Sequence, residues 1–195
     1  QLIPFTSNCA GAIKSNIIGN KVNEIYLMWE FGVNCLQVSS GGRSPLDIPE
    51  KGVWVPRSAH HHGGLDIVNP KSISYFTKFV NTIREFRIHI FNGASIRAGI
   101  KVAGEDAHPW IRSHHLGWDI KYGDECKRFI VQSVRLEAKK AVEALGYDFG
   151  AVDVGILPDG KPIVFEVNSA PGLDNENTAR AYATNILAFY KERVQ

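Results

Sequence analysis

Apolar residues recur at two different periods along this chain, and the changes of period divide it into elements. In residues 21–31 Val22, Ile25, Met28 and Trp29 share a face at helical spacing, with Asn20 placed to cap the start and Gly32 to end the helix. Short strands are expected at 53–55, ending at Pro56-Arg57, at 65–68 and at 75–80. Between 84 and 102 the period becomes two. Phe86, Ile88 and Ile90 alternate with Glu85, Arg87 and His89, and Ile96, Ala98, Ile100 and Val102 alternate with Arg97, Gly99 and Lys101. Asn92-Gly93 marks the hairpin turn. A two-residue turn there would face Ile88 with Arg97 and mix the two sets. A three-residue loop of Phe91, Asn92 and Gly93 pairs Arg87 with Arg97 and keeps the apolar residues together, so that register is expected. It puts Glu85, Arg87, Arg97 and Lys101 on one polar face. Residues 110–122 read as loop and strand. Helical spacing returns at 124–145 (Ile130, Val134, Ala138, Ala141, Val142, Leu145), with Asp124 to cap and Gly146 to stop. A last helix over 178–193 is expected to face inward through Tyr182, Ile186, Leu187 and Tyr190. Helices flanking mostly antiparallel hairpins make an α+β fold rather than an alternating β-α-β one.

One further hairpin carries the chemistry. Asp159-Gly160 is a strong two-residue turn signal. With Pro158 facing Lys161, pairing backwards sets Asp153 opposite Glu166, and Asn168 points to the same face as Glu166. Facing carboxylates repel, so the arrangement calls for a cation between them. Oxygen donors without Cys or His suit a hard ion such as magnesium. The surrounding strand is apolar (Phe149, Val152, Val154, Ile156, Ile163, Val164, Phe165, Val167), which argues against an ordinary solvated face.

Composition narrows the field only a little. The chain has 195 residues, 44% hydrophobic and 22% charged, with a formal net charge of +2. It is long enough for one sizeable domain or two lobes, and no Lys/Arg run of the kind that follows nucleic acid is visible. Cys9, Cys35 and Cys126 are scattered and odd in number, which disfavours a disulfide framework or a zinc site and fits a reducing compartment. With no signal peptide and no membrane-spanning apolar run in view, a cytoplasmic location is expected.

The run Phe165-Glu166-Val-Asn168-Ser-Ala-Pro171-Gly172-Leu, with Asp153 before it, resembles the C-terminal signature of the ATP-grasp superfamily, nearest its glutamate-ligase-like branch. The likeness extends through 145–153 and 84–93 and fades towards Lys21. It implies two α+β lobes, with antiparallel sheets, clasping ATP: a remnant at 1–20, a first lobe at 21–80 and a second at 81–195, without most of the usual N-terminal α/β domain. It implies Mg2+ held by Asp153, Glu166 and Asn168. Glu85 would take the ATP ribose, Arg87 would lie near the reacting groups, and Lys78, Phe79 and Val80 would form the adenine hinge. Arg57 and Lys101 would neutralise phosphate beneath a flap at Gly63 and Gly64, and Arg112 would stabilise the transferred phosphoryl group. The adjacent His60, His61 and His62 are poorly placed to converge on one metal and are assigned to that flap.

The implied activity is ATP-dependent ligation of a carboxylate to an amine through an acyl phosphate. A kinase-like phosphotransferase and an ATP-binding module without turnover are the alternatives. Expected partners are small-molecule or peptide substrates, with neither nucleic acid nor membrane. A second copy of the chain is one source for the substrate wall that the absent domain would otherwise provide.

Overall fold

The computed structural model describes residues 20–39, 52–58 and 73–194. The segment 1–19, the expected strand at 65–68, the three adjacent histidines and both flap glycines, Gly63 and Gly64, lie outside the described residues. Helix α1 (Lys21–Glu30) leads into β1 (Val38–Ser39), β2 (Trp54–Arg57) and β3 (Tyr75–Lys78). The long hairpin β4 (Arg84–Phe91) and β5 (Ala94–Ala103) follows, then β6 (Trp118–Tyr122). After α2 (Asp124–Lys127) and α3 (Gln132–Ala144) come β7 (Phe149–Ile156), β8 (Pro162–Asn168) and α4 (Glu176–Val194). Two antiparallel sheets result, a small one ordered β1-β3-β2 and a large one ordered β6-β5-β4-β7-β8. The expected α+β architecture is what the chain adopts.

Alternation along the large sheet separates its two faces. Phe86, Ile88, Ile90, Val152, Val154 and Val167 are buried in one core with Val134, Ala138, Ala141 and Val142 of α3. Apolar side chains removed from water on this scale supply the main stabilisation of the fold. Helix α1 joins the same core through Ile25 and Met28, and Cys35 makes a bridge to Val164 beside it. The Asn20 side chain accepts from the Val22 N–H as a cap should. Trp29, expected on the inner face, is 37% exposed, while Ile25 and Met28 are buried.

Both hairpins turn differently from expectation, and in each case a bulge restores the facing. Asn92-Gly93 is a true two-residue turn, with Phe91 opposite Ala94 and both turn residues at positive φ, 46° and 72°. A bulge between His89 and Ile90 then shifts the register, so Arg87 lies opposite Gly99 and not Arg97. The expected loop and the observed turn plus bulge differ by an even number of residues, so the same side chains share the polar face. In the second hairpin Ile156 pairs with Pro162, and Leu157 N–H bonds to the Lys161 carbonyl. The turn therefore contains residues 158–160 rather than Asp159-Gly160 alone. An irregularity between Asp153 and Val154 absorbs the extra residue, and Asp153 still faces Glu166.

Three smaller expectations also change. The single helix at 124–145 is broken: α2 ends at Lys127 and α3 starts after Val131, whose extended backbone (ψ 156°) interrupts the run. Strand β3 stops at Lys78, short of Phe79 and Val80, while β2 extends through Arg57. On α4, Tyr182 is buried but Leu187 is 60% exposed, so the helix presents a narrower inner face than its apolar residues suggest.

Candidate active site

A cleft of about 730 Å³ opens between the small sheet, the polar face of the large sheet and the loop 104–117. Among the sequence candidates, Arg57, Lys78, Phe79, Val80, Glu85, Arg87, Lys101, Arg112, Asp153 and Glu166 all line it. Asn168 is not among the lining residues, and its side-chain amide donates to Glu166 Oε1 at 3.1 Å.

The order of the strands puts these groups together. One cross-strand row reads Tyr122, Gly99, Arg87, Asp153, Glu166 over β6, β5, β4, β7 and β8. Gly99 is required in that row. A Cβ there would lie 2.6 Å from Ile120 Cγ2 and 2.8 Å from Tyr122 Cε1, so the missing side chain gives the Tyr122 ring its place.

The charges form a closed network. Arg87 grips Asp153 with Nε–Oδ1 at 2.8 Å and Nη2–Oδ2 at 2.9 Å, and Lys101 Nζ adds a contact to Oδ2 at 3.1 Å. Lys101 also reaches Glu85 Oε2 at 3.3 Å, while Thr82 donates to Glu85 Oε1 at 3.0 Å. Arg112 approaches the same oxygen at 3.6 Å, donates to the Thr82 carbonyl at 2.7 Å and lies 5.0 Å over the Trp118 ring. The expectation that facing Asp153 and Glu166 need a metal between them rested on facing carboxylates having no other counter-charge, and in this structure protein cations stand beside one of them. Two protein cations already neutralise Asp153. Burial pushes the Asp153 carboxyl up, yet Lys101 and Arg87 outweigh it and hold the group below the usual carboxylate range. Burial likewise works against the Lys101 charge, and Asp153 and Glu85 reverse the effect, leaving its pKa raised.

Beneath Arg87 lies a residue the sequence did not single out as functional. His89 is 1% exposed, with Nδ1 3.2 Å from the Tyr182 hydroxyl and Nε2 3.1 Å from that of Tyr122. Burial first, then Arg87 and Arg97, lower its pKa to about 4, so the ring is neutral at physiological pH. Lys21 was also missed; it lines the cleft and donates to the Val167 carbonyl at 2.9 Å. Its signal in the sequence is no more than a Lys in the first turn of a helix. In the small sheet Arg57 pairs with Tyr75, and the Phe79 N–H goes to the Val53 carbonyl at 2.7 Å.

No protein-family model and no curated protein matches the chain. Solved structures do. The ATP-grasp ligase PsnB, complexed with a minimal precursor, superimposes with a TM-score of 0.61 at 14% identity over 86% of this chain and 57% of its own. D-alanine–D-alanine ligase from Bacillus anthracis gives 0.61 at 15% identity, over 86% of this chain and 63% of its own. The macrocyclase MdnC from Microcystis aeruginosa MRC, bound with precursor peptide MdnA, gives 0.52 at 13% identity, over 80% of this chain and 54% of its own. The chain has the ATP-grasp fold. It spans little more than half the length of these ATP-grasp structures. Among the described residues no three His, Cys, Asp or Glu side chains cluster as a metal site, and no helix is long and apolar enough to cross a membrane. The candidate metal set is thus two carboxylates and an amide.

Proposed function

We propose that this ATP-grasp chain belongs to an ATP- and magnesium-dependent carboxylate–amine ligase. The observation that carries the reading is the single cleft in which Asp153 and Glu166 face each other amid Arg87, Lys101 and Arg112. In the reaction, a carboxylate oxygen attacks the γ-phosphorus of ATP and ADP leaves. The amine nitrogen then attacks the acyl carbon, phosphate departs, and the nitrogen loses a proton to give the amide.

The chain's own residues serve this chemistry by position and charge. Arg57 on β2, Lys101 on β5 and Arg112 on the loop 104–117 approach the cleft from three sides, where they neutralise phosphate oxygens. Phe79 and Val80 offer an apolar edge to the base, with Lys78 beside them, and Glu85 offers a carboxylate to the ribose. Oxygen donors from Asp153, Glu166 and Asn168 suit magnesium by chemistry, provided Arg87 and Lys101 release Asp153 to new anionic partners. Bound magnesium would offset charge on the β- and γ-phosphates and orient them. Solved relatives support the pairing, since PsnB has been captured with Mg and ADP.

Incubation with ATP, magnesium and a panel of amines and carboxylic acids tests the reading. ADP release that requires both an acid and an amine supports ligation. Release with a hydroxyl acceptor alone would move the assignment to a phosphotransferase, and nucleotide binding without any release would leave a binding module. The last reading draws on one observation: in the ligand-free cleft both oxygens of Asp153 are already engaged.

A further inference from the structure

The wall of the cleft that carries Arg112 is organised by a residue that does not itself line it. His108, in the loop 104–117, is followed by Pro109, which has no N–H and whose ring sets the backbone for a turn. Past that turn, the N–H groups of Trp110 and Ile111 both donate to His108 Nδ1, at 3.3 and 3.1 Å. The backbone of His108 is used as fully. Its N–H donates to the Leu116 carbonyl at 2.9 Å, and its carbonyl accepts from the Trp118 indole Nε1 at 2.8 Å. The ends of the loop are tied separately, by Gly104 N–H to the Gly117 carbonyl at 2.9 Å.

Two routes run from His108 to Arg112. Along the chain, Ile111 is held at its N–H, and Arg112 is the next residue. Through space, the indole that the His108 carbonyl fixes is the plate for the Arg112 guanidinium, 5.0 Å from the ring centre. Trp110, Ile111 and Arg112 line the cleft and His108 does not, so any effect of His108 on a ligand passes through them. A ring nitrogen that accepts two N–H bonds carries no proton, which leaves the ring proton of His108 on Nε2. An Asn side chain can take the same two bonds, as it does in Asx turns, because its Oδ1 stands where Nδ1 does. Gln carries its oxygen one bond too far.

We propose that His108 is a positioning residue of the candidate active site, whose Nδ1 and carbonyl shape the loop 104–117 so that Arg112 faces the cleft before any ligand arrives. A cation already in place needs no reorganisation when charge develops beside it. The proposal rests on the ligase reading for what Arg112 then contacts, but not for the shape of the loop.

NMR on the full chain tests it. In the parent protein the His108 Nδ1 is expected to resonate as an unprotonated ring nitrogen. The Trp110 and Ile111 amides are expected to exchange slowly, and the Arg112 Nε–H to carry a ring-current shift from Trp118. His108→Gln is expected to abolish that shift and to weaken binding of a non-hydrolysable ATP analogue about tenfold. His108→Asn is expected to keep the shift and to bind within about twofold of the parent. An Arg112 signal unaltered in His108→Gln overturns the proposal, whatever happens to the melting temperature, because His108 would then be a structural group alone. Equal loss in the Asn and Gln variants overturns it as well, by assigning the effect to the bulk of the ring and not to its acceptor. Should His108→Gln fail to fold, the parent decides: a protonated Nδ1, or Trp110 and Ile111 amides that exchange as freely as open chain, overturns it. Failure of the parent to bind the analogue counts against the ligase reading, and the Arg112 signals still decide the positioning.

Discussion

Arg87 bonds to both oxygens of Asp153, and this bidentate grip sets what the site does without ligand. Under the proposed function a divalent ion would compete with a guanidinium and an ammonium for the same carboxylate, so metal alone is expected to bind weakly. Substituting Arg87→Gln removes one competitor. Mn2+ affinity in the absence of nucleotide, measured by electron paramagnetic resonance, is then expected to rise by about tenfold, equivalent to ~1.4 kcal/mol. An unchanged or lower affinity would show that Arg87 does not screen the carboxylate. His89 yields a prediction at the same scale. Its folded pKa of about 4 lies below its ordinary 6.5, so between those values the unfolded chain binds more protons than the native one. Stability is therefore full above pH 6.5, falls as pH drops towards 4, and loses no more from this group below that. A shift of this size corresponds to about 3 kcal/mol as an upper figure. Urea melts across that window should show the slope, and His89→Gln should flatten it. Asp153, whose pKa is lowered, contributes in a separate window: its stabilisation holds above about pH 4 and is lost as pH falls further.

Among the elements, the β4–β5 hairpin and its neighbours decide the site's shape. Gly99 sits where β5 passes under Tyr122, with no room for a side chain. Gly99→Ala is expected to destabilise the protein by ~1–3 kcal/mol, the usual cost of overpacking. It should also displace the Tyr122 ring from Arg97 and His89, which a change in Tyr122 accessibility to iodide quenching or in the aromatic NMR shifts would report. A variant as stable as the parent, with unaltered aromatic signals, would mean the sheet relaxes there without cost. The elements also show how much of the local structure was legible. Alternation along 84–102 correctly assigned the polar face, although the turn and the register were both misjudged. The turn obeyed the positive-φ preference of Asn-Gly, and a bulge, which leaves no mark in the periodicity, put the apolar set back on the core side. The broken helix at 124–145 is a similar case: its apolar spacing continues across a backbone break at Val131 that leaves no mark in the periodicity.

For the whole molecule, the proposed function would make the cleft couple nucleotide and metal. Phosphates drawing Arg87 and Lys101 away from Asp153 would free the carboxylate for an ion, and the ion would in turn favour the phosphates. Magnesium and a non-hydrolysable ATP analogue together are therefore expected to raise the melting temperature by more than the sum of their separate effects. Strictly additive shifts in differential scanning fluorimetry would argue that the ion-pair network is not rearranged on binding.

The chain's own sequence determined the two long hairpins, their polar and apolar faces, and the pairing of Asp153 with Glu166, because periodicity and turn residues act over a few neighbouring positions. Tertiary structure alone decided who neutralises whom. Arg87 meets Asp153 from 66 positions away, and Tyr122, His89 and Tyr182 converge from three separate elements. Such contacts depend on strand order, bulges and a missing side chain at Gly99, and they follow only once the large sheet has closed against its helix.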